Sequence, residues 1–238
     1  QVPYDIATWP GNGEVANGEP AKLAPFADLN NDGIYEPEQG DYPLIRGDQA
    51  IYSIQHTVLD KDSLHPSMVL DLHLMFYSYA DSNNADTWNT LFENIQVVNR
   101  GTQTYTGVRF GIYMQFFIGG SGDELRGCDS LLNLFYAYTD TSIEIPGYGS
   151  QPTAQGTLYL NEAMTAHRVG NEYNTIPLED LMNGTVSGQP FEQTGYPSHF
   201  QYPGGAFTEP GPNDRPSIGS IGPLSLAPGD ALCIDLAY

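Results

Sequence analysis

Basic residues are what this chain has least of. Eight lysines and arginines stand against twenty-nine acidic residues, a formal charge of −21. A surface of that sign has nothing with which to neutralise phosphates, so nucleic-acid binding and attraction to anionic lipid are excluded, and a divalent cation is the natural counter-charge. Long apolar runs are also missing. No stretch approaches the roughly 20 residues needed to span a bilayer, so membrane insertion is not expected. The start, Gln1-Val-Pro-Tyr-Asp5, lacks the basic and apolar regions of a signal peptide, which is also how a mature secreted chain looks. Cysteine is scarce: Cys128 and Cys233 are the pair present. They form a candidate disulfide closing a long loop, although two cysteines do not establish an oxidising compartment. His56, His65, His73, His167 and His199 show no His-x-x-x-His spacing, and no Cys-x-x-Cys occurs, which leaves zinc without support. Neither a Gly-x-Ser-x-Gly elbow nor a reactive-cysteine signature is found, so no catalytic residue is assigned and a non-enzyme is expected. A glycosidase-like carboxylate pair stays open as an unspecific alternative, because acidic residues abound.

What is present reads as a folded, loop-rich β protein. Glycine and proline number 26 and 18 of 238 residues, and aromatics make 12%, too many for a disordered chain. Runs bounded by Gly, Asn and Asp clusters predict strands at about 49–58, 67–80, 88–100, 104–118, 131–139, 154–160, 198–203 and 219–238. Alternation is clearest where Leu70, Leu72, Leu74 and Phe76 share one face, which should be core. One short helix is predicted over 177–183, with Thr175 as cap, Pro177 in its first turn and Gly184 past its end. The expected fold is all-β: an antiparallel β-sandwich, jelly-roll or immunoglobulin-like, with long loops and at most one short helix. The expected organisation is a single domain, in which a loop-rich segment 1–47 packs on a sandwich 48–238. The chain stops inside an apparent strand, Leu232–Tyr238, so it is read as cropped or completed by another segment; otherwise that edge is an open pairing site.

The strongest motif is Asp28-Leu-Asn30-Asn-Asp32-Gly33-Ile34-Tyr-Glu36-Pro-Glu38-Gln39-Gly-Asp41. Calcium takes six to eight oxygen ligands, and a loop with oxygens at alternate positions and a glycine for the sharp turn wraps such an ion. The predicted ligands are Asp28, Asn30, Asp32, the Ile34 carbonyl and Glu36. Gln39 stands where a bidentate carboxylate would close the sphere, and Asp41 or Glu38 is the expected substitute. Pro25 and Pro37 argue against flanking helices, so the loop is of a loose extracellular type; the competing reading is a plain Asx-rich turn.

Weaker candidates follow. Asp123 and Asp129, in a Gly-rich segment with Glu124 and Arg126, are a second candidate calcium site, with an Arg126 ion pair as the alternative. Asp81-Ser-Asn83-Asn84-Ala-Asp86 reads as a hairpin turn. Trp9, Trp88 and the tyrosines are either a stacking platform for sugar rings or packing residues.

Several motifs in order resemble a group of secreted multidomain proteins of the Bacteroidota exported by the type IX system: Pro25-Phe-Ala-Asp28 through Tyr35 with Gly40-Asp41-Tyr42-Pro43, Gly47-Asp48-Gln49-Ala50, Val98-Asn99-Arg100, Gly127-Cys128-Asp129 with Asn133 through Tyr138, and Gly222 through Gly229. The resemblance implies an ectodomain lying upstream of a C-terminal sorting domain, located outside the cell or on its surface. The stretch Pro212–Pro216 looks shortened against that pattern, and Gln39 weakens the acidic close of the metal loop. Asp62-Ser63-Leu64 and Asp129-Ser130-Leu131 resemble the phylum's O-glycosylation motif, making Ser63 and Ser130 candidates, provided each loop is exposed. The expected function is a non-catalytic, calcium-stabilised module, adhesive or structural, whose partners are further copies of itself or a surface glycan or protein. A carbohydrate-binding module of a degradative protein is the alternative, and a glycoside hydrolase the third reading.

Overall fold

The alternation at Leu70–Phe76 becomes a long strand, and strands dominate throughout. The computed structural model describes residues 1–59, 67–81, 83–119, 124–139, 148–150, 153–169, 182, 185–186, 189–190, 200–201, 206–208 and 216–238. In chain order the strands are β1 (Phe26–Ala27), β2 (Tyr42–Pro43), β3 (Gln49–Leu59), β4 (Met68–Ser78), β5 (Phe92–Asn99), β6 (Tyr105–Met114), β7 (Glu124–Asp129) and β8 (Leu134–Thr139). There follow β9 (Ala154–Tyr159), β10 (Ala166–Val169), β11 (Thr185–Val186), β12 (Gln189–Pro190), β13 (Phe200–Gln201), β14 (Ala206–Thr208), β15 (Ser217–Leu226) and β16 (Ala231–Ala237). A large sheet has the order β14-β7-β8-β9-β16-β5-β4-β3, and a smaller one β13-β10-β15-β6. All described ladders are antiparallel. The protein is an all-β sandwich.

The two sheets meet over an apolar layer. Leu70, Ile95, Val97, Phe135, Ile234 and Leu236 from the large sheet face Val108, Phe110, Ile112 and Ile221 from the small one. Phe135 lies edge-on to Phe116, with ring centroids 6.1 Å apart. The sheets approach closely at Gly219, where a Cβ would lie 2.6 Å from the Phe135 ring, so only glycine fits. Beside it, Tyr159 donates its hydroxyl to the Gly219 carbonyl at 2.7 Å. Fully burying a side chain such as Phe135 contributes roughly 1.5–3 kcal/mol.

The large sheet is covered on its other face too. Asp71, His73, Met75 and Tyr77 alternate with the core leucines of β4, yet are themselves buried. Neighbouring side chains, His56 and Arg100 on Asp71 and Tyr52 on His73, cover part of this face, and residues 1–47 lie against it too. The Trp9 ring sits 5.0 Å from that of Tyr52 on β3. Arg46 lies over the Tyr77 ring and reaches Asp235 at 2.7 Å. Gly18 accepts a hydrogen bond from Arg100, just after β5.

Four expectations need correction. Residues 124–129, read as an acidic turn, form β7, because Glu124 and Arg126 are buried together and their charges hide the strand pattern. The stretch 219–238 is two strands, parted at Ala227, whose N–H donates to Asp230. The second of these, β16, is no edge: it pairs with β5 along its length and with β9 at Leu236 and Ala237. The allowance of one short helix is exceeded, since among the described residues two one-turn helices are complete, α1 (Tyr4–Ala7) and α2 (Ala85–Trp88). The helix expected over 177–183 falls, except for Met182, outside the described residues. Among those residues no helix is long and apolar enough to cross a membrane.

Candidate functional site

The loop 28–41 is built from Asx side chains that hold their own backbone. Asp32 accepts from Ile34 N–H at 2.8 Å, and Asn30 accepts from Asp32 N–H at 3.2 Å. Asn30 also donates to the second Asp32 oxygen. Gly33 turns the chain with φ +83°, a conformation that disfavours a side chain, and its N–H donates to Asp28 Oδ2 at 2.9 Å. That oxygen also meets Lys22 Nζ at 3.1 Å. Burial pushes the Asp28 carboxyl up, but the Lys22 ammonium and the Gly33 N–H outweigh it, and the carboxyl sits below its ordinary value. Its other oxygen, Oδ1, is buried and has no hydrogen-bond partner.

Asp41 has a different task from the one expected. It is 2% exposed, and its two oxygens accept from the N–H groups of Leu29 and Glu36, each at 2.9 Å. It therefore clamps the two ends of the loop from beneath. Gln39 belongs to a 3-10 turn, Pro37–Gln39, and its N–H donates to the Glu36 carbonyl. The loop is fixed to the rest of the segment through Tyr35. Its backbone is bracketed by the Asn12 side chain, and its hydroxyl donates to the Ile6 carbonyl at 2.7 Å.

Whether these residues fit a cation turns on two observations. Asp28 Oδ1 is buried and lacks a hydrogen-bond partner of its own, although Lys22 and the Gly33 and Asn31 N–H groups already favour the ionised carboxyl. Against that, among the described residues no three His, Cys, Asp or Glu side chains gather into a metal-holding group. Much of a calcium shell here would be neutral, from the Asn30 amide and the Ile34 carbonyl. Asp28 Oδ1 is therefore the feature of the loop on which a fit to a hard cation would rest, while both Asp32 oxygens are engaged by Asn30 and the Ile34 N–H.

The other sequence candidates separate. Asp129 Oδ1 accepts from the N–H groups of Leu131 and Leu132, capping the turn after β7, while Asp123 lies outside the described residues. Arg126 pairs with Glu124 inside the core, at 3.9 Å. Cys128 and Cys233 are free thiols. They stand on β7 and β16, with β8 and β9 between them, and on opposite faces, Cys128 in the core and Cys233 exposed. With neighbouring strands about 4.8 Å apart this separation is beyond a disulfide, which needs Cα atoms within about 7 Å. Burial, aided by Asp129, pushes the Cys128 thiol up to about 12, so it stays protonated. Ser130 is 4% exposed, which overturns it as a glycosylation acceptor; Ser63 lies outside the described residues. Trp9 is a packing residue against Tyr52, with its indole N–H donating to the Pro25 carbonyl at 3.0 Å.

Sequence reasoning missed a cleft of about 800 Å³ between segment 1–47 and the outer face of the large sheet. Its centre is Asp71, whose oxygens meet His56 Nδ1 at 2.7 Å and Arg100 Nε at 2.9 Å. Next to it, the Tyr52 hydroxyl and His73 Nδ1 are 2.7 Å apart. Burial holds His73 below its ordinary value and pushes Tyr52 up to about 12, so both stay neutral near pH 7. The signal available in the sequence was Asp71 and His73 at outward positions of a strand whose other outward residues, Met75 and Tyr77, are large and buried. Comparison with protein-family models, with curated proteins and with solved structures gives no match for this chain.

Proposed function

We propose that this chain is a non-catalytic, calcium-stabilised β-sandwich module of a secreted or cell-surface protein, with an adhesive or structural role. The observation that carries the reading is Asp28 Oδ1, buried and unpartnered at the head of a D-x-N-x-D-G loop. Asp28, Asn30, Asp32 and Glu36 would supply side-chain oxygens, and Ile34 its carbonyl. When bound, the ion supplies no chemistry beyond neutralising these carboxylates. Order then passes outward: loop to Tyr35, Tyr35 to α1 through the Ile6 carbonyl, and that region to the sheet through Trp9. The motif resemblance and the charge of −21 support a place outside the cell, where calcium is plentiful.

A ligand that binds the folded state alone raises stability by mass action. Thermal melts in chelator, in millimolar calcium and in magnesium should show a calcium-specific rise. Asp32→Ala should remove that rise and lower the melt in chelator only slightly, through loss of its exposed bonds to Asn30 and the Ile34 N–H. An equal loss in chelator would mean the loop is only a turn and would sink the metal reading.

A further inference from the structure

The cleft over Asp71 lies within the roughly 300–1,000 Å³ range of ligand sites, and its charges indicate what it takes. Asp71 is 7% exposed, and both its oxygens are held by His56 and Arg100, so it has little left for a cation. The Arg100 charge is offset by Asp71, and Glu19 also lines the cleft, in a chain of net charge −21; an anion is not drawn in either. Hydrogen-bonding capacity remains without net charge. With Nδ1 of His56 turned to Asp71, Nε2 is left to hydrogen-bond a hydroxyl, which can donate or accept. Arg100 uses Nε on Asp71 and Nη2 on the Gly18 carbonyl, which leaves further N–H groups to donate. Glu19 holds the Glu14 N–H with Oε2, leaving Oε1 as an acceptor. Between these polar groups lie the apolar surfaces of Leu23, Tyr52 and Ile54. Donors and acceptors of hydroxyl groups beside apolar surface match a pyranose, with its hydroxyl rim and C–H faces.

We propose that this cleft binds a neutral oligosaccharide segment, with His56, Arg100 and Glu19 holding hydroxyls. None of the cleft residues belongs to the loop 28–41, so the site stands apart from the calcium reading.

The test is saturation-transfer NMR followed by calorimetric titration of the whole chain, in chelator and in calcium. The probes are tetrasaccharides of glucose, mannose, xylose and N-acetylglucosamine, with an oligogalacturonate as the anionic control. At least one neutral tetrasaccharide should bind, and both His56→Ala and Glu19→Ala, substitutions of exposed side chains, should weaken it about ten-fold or more. A melt of each variant checks that the fold is kept. No binding by any neutral probe, binding that neither variant disturbs, or preference for the oligogalacturonate would each overturn the proposal. Saccharide binding without a calcium shift in the melts would sink the metal reading alone.

Discussion

The two faces of β4 are both buried, but by different means. Inward, Leu70, Leu72 and Leu74 join a core that also takes side chains from the second sheet, and shape and apolar area do the work. Outward, Asp71 is held by His56 and Arg100 and His73 by Tyr52, while a segment with little regular structure reaches the same face through Trp9 on Tyr52, Arg46 on Tyr77 and Asp235, and the Gly18 carbonyl on Arg100. Apolar packing is non-directional and tolerates approximate fit, whereas the outer layer works only where each polar group finds its partner. The inner face makes the fold; the outer face makes the cleft.

The largest effect should come from breaking the inner face. Phe135→Ala opens a cavity at a fully buried site and should cost about 3–5 kcal/mol, seen as a large fall in Tm with both sheets losing structure together. Trp9→Ala tests the outer layer. Removing a half-buried ring should cost about 1–2 kcal/mol and quicken hydrogen exchange in residues 1–47, leaving β8 and β15 protected. If it exposes the sheets as fully as Phe135→Ala does, the two layers are one cooperative unit and the contrast fails.

The smallest effect probes a polar group placed on the apolar side. Glu93 is buried there and accepts from the Tyr238 hydroxyl at 2.5 Å. Burial raises its carboxyl above the ordinary 4.5, more than Tyr238 lowers it, so folding favours the protonated form. The associated stability is full below about pH 4.5 and is lost as pH rises through the folded value. Glu93→Gln keeps an acceptor for Tyr238 without the charge. Its Tm should exceed that of the native chain slightly at neutral pH and converge with it in acid; a variant less stable at every pH would rule out the burial penalty.

The inner face was legible because a period of two in Leu70–Phe76 needs no knowledge of what lies opposite. The loop 28–41 was legible as a spacing, though not the role of Asp41, which was expected to face an ion and instead clamps the loop ends. Charged Glu124 and Arg126 hid β7, since a buried ion pair looks like a surface turn until its partner is known. The cleft was invisible for the same reason: His56, Asp71 and Arg100 are far apart in the chain, and only the pairing of β3, β4 and β5 brings them together.

The contact between Gly219 and Phe135 ties two distant positions into one unit of change. A methyl at 219 would run into the Phe135 ring and, at 2.9 Å, the Met164 sulfur. Position 219 can therefore drift only after position 135 has become smaller, while a smaller residue at 135 leaves a void that a larger one at 219 would fill. The route between the two arrangements therefore passes through a weakened sandwich.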